Sequence, residues 1–123
     1  MTPCGCPARD APASILVVDD DDEVREMLAE TLRDCGYAVL QASSAEQALA
    51  IISAGPSVRM MISDVRMPGM SGLDLVERVL HDQPGIKVIL MSGYFHPQPV
   101  AQRFLMKPFR LQELASAVAA ELR

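Results

Sequence analysis

Four apolar runs of strand length punctuate the chain, and each ends in polar groups. Ile15 to Val18 runs into Asp19–Asp20, Val58 to Ile62 into Ser63–Asp64, Ile86 to Met91 into Ser92–Gly93, and Phe104 to Met106 into Lys107–Pro108. The first is apolar without alternation, the pattern of a strand buried on both faces of a parallel sheet. Val24, Met27, Leu28, Thr31, Leu32 and Cys35 then fall at helical spacing, and Gly36 follows where a left-handed cap closes a helix. Ala38 to Ala42 is a short second strand. Ser43 and Ser44, each followed three residues later by Glu46 or Gln47, open a helix that Gly55–Pro56 ends. Ser71 with Asp74 opens a third helix carrying Leu73, Val76 and Leu80, and Gln83–Pro84–Gly85 turns it into the strand at Ile86. A last helix runs from about Leu111, with Leu114, Val118 and Leu122 on its inner stripe.

Strands alternating with helices predict a doubly wound α/β fold with a parallel sheet, because parallel neighbours need right-handed crossovers. All strands of such a sheet point the same way, so their C-terminal ends open onto one edge, where ligands bind. Asp19, Asp20, Asp64, Ser92 and Lys107 are therefore expected to meet, although 88 positions separate Asp19 from Lys107.

At 123 residues, half of them hydrophobic, the chain has material for one core, which predicts a single domain over 14–123 behind a flexible tail, 1–13. The net charge of −5, the absence of Trp and the lack of any Lys/Arg run leave no footprint for nucleic acid or an anionic membrane. No apolar stretch reaches the roughly 18 to 20 residues that cross a bilayer, and the Pro-containing N-terminus lacks a signal peptide's apolar segment, so a cytoplasmic location is expected. Three cysteines, an odd number, make no disulfide framework. Cys35 is read as core, while Cys4 and Cys6 fall in the tail.

Three carboxylates, a hydroxyl and an ammonium at one sheet edge define a chemistry. Clustered acids raise one another's pKa unless a cation neutralises them, and a hard ion such as Mg²⁺ does so while keeping exchangeable waters. Mg²⁺ held by few carboxylates completes its shell with phosphate oxygens, and a point-charge lysine beside it suits the same anion. A carboxylate is itself a nucleophile able to form an acyl phosphate, and Asp64 stands alone at the middle of the set. Plainer roles compete. Asp21 and Asp22 are read as cap and dipole partners of the first helix, His81 and His96 as solvated, and the eight methionines as packing.

Val17–Val18–Asp19–Asp20, Ser63 to Gly72 (SDVRMPGMSG), Met91–Ser92–Gly93 and Met106–Lys107–Pro108–Phe109 together resemble the four motifs of the receiver domain of two-component response regulators, in the family's order and across Ser14 to Arg123. The resemblance implies a five-stranded, flavodoxin-like sheet of order 2-1-3-4-5. It further implies that Asp64 accepts a phosphoryl group from the phosphohistidine of a sensor kinase or histidine phosphotransfer protein. Asp19, Asp20, Asp64 and the Arg66 backbone carbonyl would hold Mg²⁺ (or Mn²⁺), with Asp19 acting mostly through water. Lys107 would bind a phosphoryl oxygen, Ser92 and Phe104 would report phosphorylation, and Arg66 and Tyr94 would tune its loss. The resemblance implies a switch rather than a stand-alone enzyme. The competing reading is a small Mg²⁺-dependent phosphatase or phosphotransferase with an Asp nucleophile. Against it, Val65 and Arg66, not a second acid, follow Asp64, and no cap insertion encloses a substrate. One departure from the family stands out. Only ten residues, Gly93 to Gln102, link the fourth strand to the fifth, and they include Pro97 and Pro99, so the helix usual there is expected to be shortened or absent.

Overall fold

The computed structural model describes residues 14–54, 58–93 and 103–122. In chain order the elements are β1 (Ser14–Val18), α1 (Asp22–Asp34), β2 (Ala38–Ala42), α2 (Ala45–Ser53), β3 (Met60–Asp64), α3 (Gly72–Asp82), β4 (Lys87–Ser92), β5 (Arg103–Met106) and α4 (Leu111–Leu122). All strand pairs are parallel, and the order is β2-β1-β3-β4-β5, as the sequence predicts. The stretch expected to lack a regular helix, Tyr94 to Gln102, lies outside the described residues, as does the tail with Cys4 and Cys6.

Successive side chains of a strand point to opposite faces, so the central strands divide their apolar residues between two cores. Leu16, Val18, Met61 and Leu90 pack under α2 and α3 with Ala48, Leu75, Val76 and Val79. Ile15, Val17, Met60, Ile62, Ile89 and Met91 pack under α1 and α4 with Leu28, Leu32, Leu114 and Val118. β1 and the apolar part of β3 are sealed on both sides, with Ile15 to Val18 and Met60 to Ile62 fully buried.

Caps explain where the helices begin. Asp21 accepts hydrogen bonds from the Glu23 and Val24 N–H groups, and Ser71 accepts from Asp74 N–H. At α2, Ser44 Oγ accepts from Gln47 N–H, while the Gln47 side chain reaches back to Ser43. Gly36, with φ 96°, closes α1 in the left-handed region that favours glycine. Asp21→Ala removes acceptors for two otherwise orphaned N–H groups and will lower stability by about 1 kcal/mol, read as a lower urea midpoint at constant slope.

Three packing expectations need correction. α3 buries Leu75, Val76 and Val79, whereas Leu73 and Leu80 are only partly buried at the edge of that stripe. Met27 is 46 % exposed, because the buried stripe of α1 runs through Leu28, Ala29 and Leu32 and places Met27 beside it. Cys35 is half-buried, since it serves as the C-cap of α1, where its N–H bonds to the Thr31 and Leu32 carbonyls.

Candidate functional site

The C-terminal ends of β1 and β3 and the segment after β5 bring Asp19, Asp64 and Lys107 together. The Asp19 N–H bonds the Ala42 carbonyl at 3.1 Å, carrying the β1–β2 pairing one residue past the strand, and the side chain turns inward with no exposure. Asp64 is the last residue of β3, paired with Met91 of β4. Lys107 follows β5, and its N–H bonds the Ser92 carbonyl at 2.7 Å, which extends the β4–β5 pairing to the same edge. One Lys107 ammonium therefore reaches two acids, Asp19 Oδ2 at 3.2 Å and Asp64 Oδ2 at 3.3 Å.

Asp20 is exposed, yet one carboxylate oxygen each from Asp19, Asp20 and Asp64 lie within 4.8 Å of one another. Burial raises the Asp19 carboxyl above its ordinary pKa, a push that the Asp21 N–H at 2.9 Å and Lys107 offset only in part and that Asp64 reinforces. Burial acts on the Lys107 ammonium in the opposite sense, lowering its pKa, but the charges of Asp19 and Asp64 outweigh it and hold it above the ordinary lysine value. The edge is acid-rich, with one lysine inside it.

The β3–α3 loop shapes the acceptor side. Arg66 is exposed and its N–H lies 3.4 Å from Asp64 Oδ1; Ser63, fully buried, donates its hydroxyl to the Asp64 carbonyl at 3.0 Å. Gly72 N–H bonds the Val65 carbonyl at 2.9 Å, which brings the start of α3 so close that a Cβ on Gly72 would fall 2.1 Å from the Asp64 carbonyl oxygen. Ser92 ends β4 at 2 % exposure. Phe104 is half-buried on β5 opposite Leu90, against the core under α2 and α3. The structure thus brings Asp19, Asp20, Asp64 and Lys107 to one place and sets Arg66 and Ser92 at the same edge. Tyr94 lies outside the described residues.

Two contributors escape a reading by motif. Arg25, in the first turn of α1, directs its guanidinium to the Asp19 carbonyl at 2.9 Å and to Gln41 Oε1 on β2 at 3.1 Å. The only sequence trace of this is an arginine three residues after Asp22, with which it pairs at 2.7 Å. Gly72 is the other, and its trace is a glycine directly after the capping Ser71.

The donors are all oxygens, as hard divalent cations require, and the exposed Asp20 puts the cluster in contact with solvent, so the residues present fit a Mg²⁺-class ion. Comparison with known proteins follows this geometry. Residues 15–119 match the family described as the response regulator receiver domain. The chain is similar to the sensor kinase CckA of Brucella abortus, 38 % identical over 114 residues that cover 86 % of this chain and 12 % of the kinase. It is similar also to the transcriptional regulatory protein FixJ of Azorhizobium caulinodans, 40 % identical over 115 residues that cover 86 % of this chain and 53 % of that protein. The chain thus spans about an eighth of the kinase's length and about half of FixJ's. Among solved structures, the receiver domain from the hybrid histidine kinase CckA superposes with a TM-score of 0.81 at 36 % identity, covering 90 % of this chain and 100 % of that one. The response regulator protein TrrA of Thermotoga maritima, solved in complex with Mg²⁺–BeF, does so with a TM-score of 0.80 at 32 % identity, covering 88 % and 97 %.

Proposed function

As this chain belongs to the response regulator receiver family, we propose that it is a phosphoryl-accepting switch in which Asp64 takes a phosphoryl group from the phosphohistidine of a sensor kinase or histidine phosphotransfer protein. The observation that carries this reading is the single ammonium shared by a buried and a half-buried carboxylate, Asp19 and Asp64, with Asp20 beside them. An Asp64 oxygen forms the bond to phosphorus as the P–N bond of the donor breaks, and that electron pair returns to the donor's imidazole. Lys107 sits where it can pass from the Asp64 carboxylate to the arriving phosphoryl oxygens without losing Asp19. A Mg²⁺ or Mn²⁺ ion, when bound, supplies charge neutralisation for the transferring group. Asp20 and Asp64 would hold that ion directly with the Arg66 carbonyl, and Asp19 would act mostly through water.

Ser92, buried at the end of β4, and Phe104, half-buried on β5, are the residues we assign to reporting the phosphorylated state. Arg66 and Tyr94 are assigned to tuning its lifetime. The kinase-side partner has a surface to meet. Val24, Met27 and Leu28 of α1 line an apolar groove with Pro108 and Phe109, directly beside Lys107. Residues 14–123 are taken as the receiver unit. The reading as a small phosphatase is not favoured, since the family match is to a signalling domain and no acid follows Asp64.

The test is transfer itself. With Mg²⁺ and a histidine-phosphorylated donor, the protein will acquire a label that is lost in hydroxylamine; a protein that stays unlabelled with every donor of this type contradicts the proposal. Asp20→Ala will weaken Mg²⁺ binding by tenfold or more in a calorimetric titration, and unchanged affinity would remove Asp20 from the ligand set.

A further inference from the structure

We infer that Arg25 is a positioning residue for the divalent-ion site: it pins the Asp19–Asp20 peptide so that the Asp20 carboxylate is presented toward Asp19 and Asp64. The inference rests on the metal-site reading above and extends it to a side chain that touches none of the three carboxylates of that site.

Arg25 is largely covered, its side chain 16 % exposed, and its fork is fully engaged. Nη1 donates to the Asp19 carbonyl at 2.9 Å, Nε to Gln41 Oε1 at 3.1 Å, and Nη2 pairs with Asp22 Oδ1 at 2.7 Å. Gln41 is itself steadied by Glu26 Oε1 at 3.4 Å, and it pairs with Val17 across the β1–β2 ladder. One planar group therefore ties the end of β1 to β2 and to the first turn of α1. A lysine, with a single nitrogen on a flexible stem, cannot span these three acceptors in that geometry.

The tie matters because of what the Asp19 carbonyl belongs to. The Asp19 C=O and the Asp20 N–H share one rigid peptide plane, so holding the carbonyl fixes the plane from which the Asp20 side chain departs. Asp19 has further anchors in its N–H bond to Ala42 and in its carboxylate bonds to the Asp21 N–H and Lys107. Asp20 has none: among the described residues no hydrogen bond holds its exposed carboxylate. Its placement is inherited from the backbone, and Arg25 holds that backbone.

Charge and geometry act here with opposite signs, which makes the inference testable. A guanidinium near the acids repels an incoming cation, so removing it without disturbing the loop would tighten binding. Removing the tether loosens Asp20 and weakens binding. The experiment is calorimetric titration of the intact chain with Mg²⁺ and with Ca²⁺, for wild type, Arg25→Lys, Arg25→Gln and Gln41→Leu. Losing a partner that orients a metal ligand costs about 10-fold to 100-fold in affinity. Mg²⁺ demands near-ideal octahedral geometry whereas Ca²⁺ accepts a flexible one, so misplacement of Asp20 will penalise Mg²⁺ more. We expect Arg25→Lys and Arg25→Gln each to lose at least tenfold in Mg²⁺ affinity with a smaller loss for Ca²⁺. Gln41→Leu, which leaves Arg25 in place, is expected to show a weaker loss of the same kind.

Tighter Mg²⁺ binding in Arg25→Gln, unchanged binding in Arg25→Lys, or equal losses for both ions would overturn the inference. If an Arg25 variant does not fold, Gln41→Leu decides alone by the same Mg²⁺-to-Ca²⁺ comparison. A wild-type protein that binds neither ion would take down the metal-site reading itself, an outcome distinct from wild-type binding that the variants retain.

Discussion

Asp64→Asn is expected to abolish phosphoryl labelling, to the background of the donor alone, while leaving the fold in place. The amide matches the carboxylate in shape but is no nucleophile toward phosphorus, so the bond-forming atom is lost without a cavity. Stability changes little because two effects oppose each other. Lys107 gives up one of two acidic partners, yet it keeps Asp19 at 3.2 Å, and the repulsion between Asp19 and Asp64 disappears. A thermal midpoint close to wild type together with absent label assigns the loss to chemistry. Hydroxylamine-sensitive label persisting in the variant would show that Asp64 is not the sole acceptor.

Gly72→Ala is expected to damage the fold and the acceptor together. Alanine gains up to about 1 kcal/mol over glycine as a helix former. Here, however, the added Cβ meets the Asp64 carbonyl oxygen at 2.1 Å, its carbon at 2.9 Å and Val65 Cα at 3.0 Å, all backbone atoms with no side-chain freedom to yield. Overpacking of this kind costs about 1–3 kcal/mol, and the upper part of that range applies where only backbone can move, so the clash wins. Net destabilisation of roughly 1–2 kcal/mol lowers the thermal midpoint by several degrees. Since the atoms that must move carry Asp64, labelling slows as well. Gly85→Ala is the control: it has nothing within 4 Å of its Cβ and should shift stability by about half a kcal/mol or less. Equal midpoints for the two variants would contradict the close approach of α3 to Asp64.

What the sequence makes legible is whatever a local pattern determines. Ile15 to Val18 and the run into Asp64 are apolar without interruption over three or more residues, so their strands, their burial and the shared edge follow from parallel topology alone. Asp21 and Ser71 are legible because capping is a contact of two or three residues. The stripe of α3 is less so. Leu73 and Leu80 are as apolar as Leu75 and Val79, and only the docking angle on the sheet decides which pair is sealed. Arg25 was beyond reach for the same reason in stronger form, since its partner Gln41 lies 16 residues away on a strand whose neighbour must first be known. Gly72 has helix-start chemistry in sequence, and its steric role emerges only when β3 and α3 are both placed.

Lys107 is 88 residues from Asp19 in the chain and 3.2 Å away in space. Because synthesis runs from the N-terminus, a nascent polypeptide ending at Met91 already contains Asp19, Asp20 and Asp64 but not the amine that pairs with two of them. Such an intermediate carries its acids uncompensated and lacks β5 against β4. The acidic edge is therefore completed late in synthesis, by the segment after β5 that brings Lys107 to Asp19 and Asp64.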